Sequence, residues 1–310
     1  MIKLLFVAGP TACGKTEYAL RLAKDLGGEI VSADSMQIYK YMNIGSAKPD
    51  AEELAAVRHW LVDEIEPSEG FSVADYQSLA RRYISEINSR GKLPIVSGGT
   101  GLYINSLLYD MDFPGCKGDD ERRQEIWEEC ERDGEKLAER LRRLDSAAAE
   151  KIHPNNIKRM LRAVERLEGG EDSLAAFADV KKPAEGYDTL LIALARNREE
   201  LYDRINLRVD KIIDSGLENE VRSLMAMGLT SADVAMKGIG YKEVIDAIEA
   251  GRSAEDASEL IKKNTRHYAR RQIIWLRRYP QLKKIKLEGD AFDEAAYASM
   301  RELIEEWLQN

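Results

Sequence analysis

The sequence predicts an α/β protein: a P-loop parallel-sheet core covered by helices, with a smaller all-helical insertion domain. Three observations predict it. Short apolar runs at residues 3–8, 29–33, 93–97 and 189–195 alternate with helical patterns, the rhythm of βαβ units. The octapeptide Gly9-Pro10-Thr11-Ala12-Cys13-Gly14-Lys15-Thr16 matches G-x4-G-K-[ST] directly after the first run and before the first helix. After Asp112 the texture turns densely charged and helical, and a strand pattern returns only at residue 189. These limits assign residues 1–112 and 189–310 to the core and its helical C-terminal part, and residues 113–188 to the insertion.

Each element follows from local pattern. Residues 3–8 are apolar enough for a central parallel strand. Residues 17–26 read as a helix that stops at Gly27-Gly28, and residues 29–33 as the second strand. Residues 59–64 read as a third strand. Ser72 with Asp75 resembles a capping box opening a helix to about Arg90, and residues 93–97 form the next strand before Gly98-Gly99-Thr100-Gly101. Residues 113–119 look like a linker, 121–144 like one charged helix and 155–167 like another, with a short helical patch between 169 and 186. The last third is helical, with a long helix from about 254 to 278 and a short strand at 283–287.

Composition narrows the function classes. With 44% hydrophobic and 33% charged residues in a chain of 310, a folded globular protein is expected and disorder is not. No window approaches the ~18 consecutive apolar residues of a membrane helix, so no membrane association is expected. The first eight residues superficially resemble a signal peptide, but their apolar run is too short, and a buried strand is the better reading. Cys13, Cys116 and Cys130 form no CxxC pair, which argues against structural zinc or a disulfide framework and fits a cytoplasmic address. Nothing points to an obligate protein partner.

The phosphate loop carries the first chemistry. Its glycines let successive backbone N–H groups converge on phosphate oxygens, and the following helix N-terminus adds positive potential. Lys15 is placed to reach a terminal phosphate and the Thr16 hydroxyl to ligate Mg²⁺. The residues alone leave the fate of the phosphate open. Asp63 and Glu64, after a short apolar run, read as the acidic pair of an NTPase or small-molecule kinase. Asp34 follows the second strand and so belongs at the carboxyl edge of the sheet, as Mg²⁺ ligand, general base or helix cap. Thr100 falls at the same edge, in a glycine-rich segment that is either a ligand approach or a tight turn.

The net charge of −9 argues mildly against nucleic acid when averaged, yet residues 260–287 hold ten basic residues and no acid. On the helix over 155–167, Ile157, Leu161 and Val164 share one face while Arg159, Arg162 and Arg166 share the other. Arg266 and Arg270 repeat that arrangement one turn apart, and Tyr268, Trp275 and Tyr279 read as packing aromatics. Lys237 and Lys242 flank a glycine-flexible loop suited to a nucleic-acid backbone.

Six segments in order and spacing, GPTACGKT (9–16), DSMQIYKYMNIGSAKP (34–49), GGTGLY (98–103), IHPNNIKRMLRAVE (152–165), IGYKE (239–243) and TRHYARRQIIWLR (265–277), resemble the tRNA dimethylallyltransferases, also called tRNA isopentenyltransferases. The resemblance spans nearly the whole chain. It implies transfer of a dimethylallyl group from dimethylallyl diphosphate to N6 of adenosine-37 in tRNA, with Mg²⁺, and release of diphosphate. It implies that Asp34 is the general base, with Lys15 and Thr100 in the catalytic set and Ser35, Met36 and Gln37 as neighbouring tRNA contacts. Arg123, Lys158, Arg159, Arg162, Lys237, Lys242, Arg266 and Arg270 are the further tRNA contacts on this reading. Arg198 becomes a diphosphate clamp beside residues 9–16. Two departures stand out: Trp60 follows His59 where two adjacent histidines are common, and Cys13 replaces a commoner serine. The alternatives are the same transfer onto a free adenine nucleotide, the kinase, and a non-catalytic RNA-binding protein.

Overall fold

The computed structural model describes residues 1–111, 120–170, 182–289 and 291–310. The chain forms two compact units, Met1–Met111 with Ala184–Asn310, and Asp112–Pro183.

In the first unit, β1 (Ile2–Ala8) leads through the phosphate loop into α1 (Lys15–Leu26) and β2 (Gly28–Ala33). Helix α2 (Ala51–Ala56) precedes β3 (His59–Trp60), and α3 (Val73–Ser89) precedes β4 (Leu93–Gly98) and α4 (Gly101–Leu108). The six strands are all parallel, in the order β3-β2-β4-β1-β5-β6, with β5 at Tyr187–Ala195 and β6 at Lys283–Lys286. Because the strands are parallel, Ala8, Ala33, Gly98 and Ala195 all end at one edge.

Alternating side chains of β1 build two cores on opposite faces of the sheet. Leu4 and Phe6 pack with Tyr76, Ile84 and Ile104, whereas Leu5 and Val7 pack with Tyr18, Leu22 and Ile205. Strand β3 is shorter than the expected residues 59–64. Leu61 (φ 62°) and Asp63 (φ 55°) turn left-handed, so the chain leaves the sheet after Trp60. Ser72 does form the expected capping box with Asp75.

The second unit holds α5 (Asp120–Glu129), α6 (Gly134–Leu144), α7 (Ser146–Lys151) and α8 (Ile157–Glu168). The single helix expected over 121–144 is two, because Glu131 and Arg132 adopt φ of 55° and 56° and Asp133 caps a new start. Ile126, Leu137, Leu141, Met160 and Val164 form its core. Helix α8 buries Met160, Ala163 and Val164, with Ile157 and Leu161 only partly covered, so its apolar stripe is rotated from the expected one. The expected linker at 113–119, Cys116, and residues 171–181 of the 169–186 stretch expected to hold a short helical patch lie outside the described residues.

Beyond β5 come α9 (Arg198–Asp214), α10 (Leu217–Ala226), α11 (Tyr241–Glu249), α12 (Ala254–Leu276) and α13 (Glu294–Gln309). Helix α12 packs against α9, α11 and α4, which brings its inward face over the functional edge of the sheet.

Candidate active site

The phosphate loop curls because Ala12 (φ 62°) and Gly14 (φ 103°) are left-handed, and at Gly14 only glycine takes that conformation without strain. Gly14 caps α1 with no side-chain hydrogen bond, so the first helical N–H groups stay open to a ligand. Lys15 donates from Nζ to the Pro10 carbonyl at 3.4 Å. The Cys13 side chain is buried, so the loop acts through its backbone there.

Two cavities meet at the sheet edge. The first is lined by Thr11, Lys15, Thr16, Asp34, Gln37, Arg208, Tyr268 and Gln272, among others. The second, of about 390 Å³, is lined largely by apolar side chains, including Met36, Phe71, Tyr103, Ile212 and Ile239. Thr11, Asp34, Arg208 and Tyr268 belong to both linings, so a polar compartment adjoins an apolar one across the same four residues. A third cavity on the outer side of the loop adds Arg204 and Lys211 to Lys15, Thr16 and Arg208.

The electrostatics favour an anion. Burial pushes the Lys15 ammonium below its ordinary pKa, with Arg208 acting in the same direction and Cys13 and Asp34 opposing. Burial likewise lowers Arg208, again opposed by Asp34. Two cations held out of water against little negative charge gain most when a diphosphate arrives. Burial pushes the Tyr268 hydroxyl up to about 12.

Asp34 directly follows β2 and accepts the Met36 N–H on Oδ1 at 2.9 Å, which fixes its carboxylate on the walls of both cavities. Ser35 and Met36 line the apolar cavity and Gln37 the polar one. Gln37 accepts the Ser32 hydroxyl at 3.0 Å. Thr100 accepts the Ser35 N–H at 3.2 Å, so it braces its neighbour, and it is absent from the linings of these cavities.

Several expected residues sit elsewhere. Arg198 is corrected: it opens α9, is exposed, and lies over the Tyr202 ring at 5.2 Å. Ten residues of helix, about 15 Å, separate it from Arg208, the residue of α9 that shares a wall with Lys15. Arg204, also on α9, donates from Nε to the Ala12 carbonyl at 3.1 Å. Asp63 is ion-paired with Lys48, and Glu64 accepts the Leu61 N–H at 2.6 Å and the Tyr83 hydroxyl at 2.8 Å, so both acids brace loops. That removes the feature on which the kinase alternative stood.

Of the basic residues, Lys158, Arg159, Arg162, Lys242 and Arg270 are exposed. Lys237 lines the apolar cavity and donates to the Ala232 carbonyl at 2.6 Å. Arg266 donates to Asn206 at 2.6 Å, and Arg123 pairs with Glu165 at 3.6 Å within the second unit.

Sequence reasoning missed Arg208 and Gln272 and read Tyr268 as packing. A signal existed for two of them. Tyr268 and Gln272 are four residues apart on one helix face, and a buried glutamine on such a face needs polar partners.

Sheet, loop and carboxylate define a P-loop α/β protein with a cationic cavity at the loop beside an apolar chamber. Residues 37–279 match the family described as IPP transferase, and the chain belongs to this family. It is 47% identical to the tRNA dimethylallyltransferase of Alkaliphilus oremlandii over 90% of both chains, and 45% identical to that of Acetivibrio thermocellus over 97% of both. The crystal structure of the full-length tRNA isopentenylpyrophosphate transferase of Bacillus halodurans superposes with a TM-score of 0.75 at 37% identity, covering 100% of this chain and 97% of that one. A eukaryotic dimethylallyltransferase acting on tRNA superposes at 0.83 with 26% identity, covering 98% of this chain and 78% of that one.

Proposed function

We propose that this chain transfers the dimethylallyl group of dimethylallyl diphosphate to N6 of adenosine-37 in tRNA. The observation that carries this reading is the shared wall: Asp34 and Arg208 line both the phosphate-loop cavity and the apolar one. A diphosphate in the first and an allyl group with an adenine in the second would meet at Asp34.

The residues divide the work. The open N–H groups of α1, Lys15 and Arg208 hold the diphosphate and stabilise the charge that grows as the allylic C–O bond breaks. N6 forms the new bond to the primary allylic carbon, and Asp34 takes the N6 proton. The apolar lining excludes water that would otherwise hydrolyse the donor. Thr16 offers a hard oxygen at the phosphate site, which fits Mg²⁺, since that ion needs only one or two protein oxygens alongside phosphates. When bound, Mg²⁺ supplies neutralisation of the diphosphate.

The adenine leaves its stack to reach this chamber. The exposed Lys158, Arg159, Arg162, Lys242 and Arg270, with Lys237 on the cavity rim, supply the contacts to the RNA backbone. Among the described residues no helix is long and apolar enough to cross a membrane, and buried free Cys13 and Cys130 fit the cytoplasm.

The test is incubation with Mg²⁺, labelled dimethylallyl diphosphate and unmodified tRNA carrying adenosine-37. Parallel tubes hold AMP, ADP or ATP. Label in tRNA is the expected result. Label confined to nucleotides overturns the acceptor, and no label overturns the chemistry.

A further inference from the structure

A single buried side chain joins the two halves of the site. Gln272 on α12 is 6% exposed and accepts the Thr11 N–H of the phosphate loop on Oε1 at 2.8 Å. Its Nε2 donates to the Gly99 carbonyl at 3.0 Å. These partners fix the amide orientation, because a flipped amide would face a donor with a donor and a carbonyl with a carbonyl. Gly99 itself has no room for a Cβ, which would collide with Gln272 Nε2.

The contacts continue past the glutamine. Thr100, the residue after Gly99, accepts the Ser35 N–H at 3.2 Å. A continuous path therefore runs from Thr11 of the phosphate loop through Gln272 and the Gly99-Thr100 backbone to Ser35, the residue beside Asp34. It crosses from the β1–α1 loop to the β2 edge by way of a helix more than 230 residues later in the sequence.

The structure assigns Gln272 the role of a positioning residue: it sets the distance between the diphosphate held by the loop and the proton acceptor at Asp34. This rests on the transfer reaction proposed above. The loop binds phosphate through its own N–H groups and cations, so loss of the path leaves the diphosphate bound but misplaced relative to Asp34. Misplacement on the ångström scale lowers the rate of bond formation while binding is kept.

The experiment compares wild type with Gln272→Leu, which removes both ties, and Gln272→Glu, which keeps the Thr11 acceptor and loses the donor to Gly99. Each is measured for melting temperature, affinity for inorganic pyrophosphate by calorimetry, and kcat and KM for the transfer to tRNA. We expect kcat to fall by about 10- to 100-fold in both variants, with pyrophosphate affinity and donor KM within about threefold of wild type. Retained kcat with a lowered melting temperature assigns Gln272 a merely structural role and overturns the proposal. Pyrophosphate affinity falling in step with kcat also overturns it, since Gln272 then acts on the loop alone. Should Gln272→Leu fail to fold, Gln272→Glu decides. Wild-type protein that transfers no label overturns the underlying reaction as well, whereas wild-type transfer with unchanged variants overturns this inference alone.

Discussion

Glu29 offers a test of the fold that is separable from the chemistry. It is the second residue of β2, five residues before Asp34 and at the opposite end of the strand. Its side chain is 2% exposed and accepts from Arg90 Nη1 and Nη2 at 2.7 Å, Lys92 at 2.9 Å and the Trp60 indole at 2.9 Å. Arg90 foremost, against the opposing effect of burial, holds the carboxyl down at about 2. The gap from an ordinary 4.5 converts, at ~1.4 kcal/mol per pH unit, to about 3 kcal/mol. Arg90 and Lys92 are 35% and 46% exposed, so solvent screening brings the expected contribution nearer about 2 kcal/mol. The folded value is depressed, so this stability is present above about 4.5 and is lost as pH falls toward about 2. Glu29→Gln keeps a Trp60 acceptor but removes the charge. Urea unfolding at a series of pH values should show wild type losing about 2 kcal/mol more than the variant across that window. Turnover per folded molecule should be equal at neutral pH. Parallel pH profiles for the two proteins would refute the assignment, and an equal loss of turnover would refute the separation from the active edge.

The other predictions concern the site. Asp34→Asn should lower kcat by about 10²- to 10⁴-fold with tRNA affinity held within about threefold, and near-normal kcat removes Asp34 as the base. Arg208→Met should weaken inorganic pyrophosphate binding by at least about tenfold in calorimetry while Arg198→Ala leaves it unchanged; the reverse order would restore Arg198 to the clamp. The double variant Arg159→Ala with Arg162→Ala should flatten the salt dependence of tRNA binding by about one in slope per lost phosphate contact, and an unchanged slope returns both to solvent. Glu220 accepts the N–H groups of Asn43, Ile44 and Gly45 at 2.8, 2.7 and 3.0 Å and the Tyr241 hydroxyl at 2.7 Å. Glu220→Gln, which turns an amide against those donors, should lower the unfolding free energy by about 1.5–3 kcal/mol in urea.

Much of this protein is written in local pattern. Apolar runs and helical spacing were enough for β1, β2, β4 and β5, because a strand buried on both faces has to be apolar wherever it lies. The phosphate loop was legible from eight consecutive residues, since its function resides in its own backbone. Asp34 followed from the strand before it, given that parallel strands end together. Local pattern failed where backbone conformation departs from it, at Leu61 and Asp63 after β3 and at Glu131 and Arg132 between α5 and α6. Tertiary structure alone decided which cation lines the phosphate-loop cavity. Arg198, Arg204 and Arg208 all stand on α9, and only the course of that helix across the sheet selects Arg208 over Arg198. It alone also decided the use of Gln272, whose two backbone partners lie 261 and 173 residues away in sequence. Spacing along a chain encodes which residues share an element face; which faces meet is set by packing of the whole sheet and its helices.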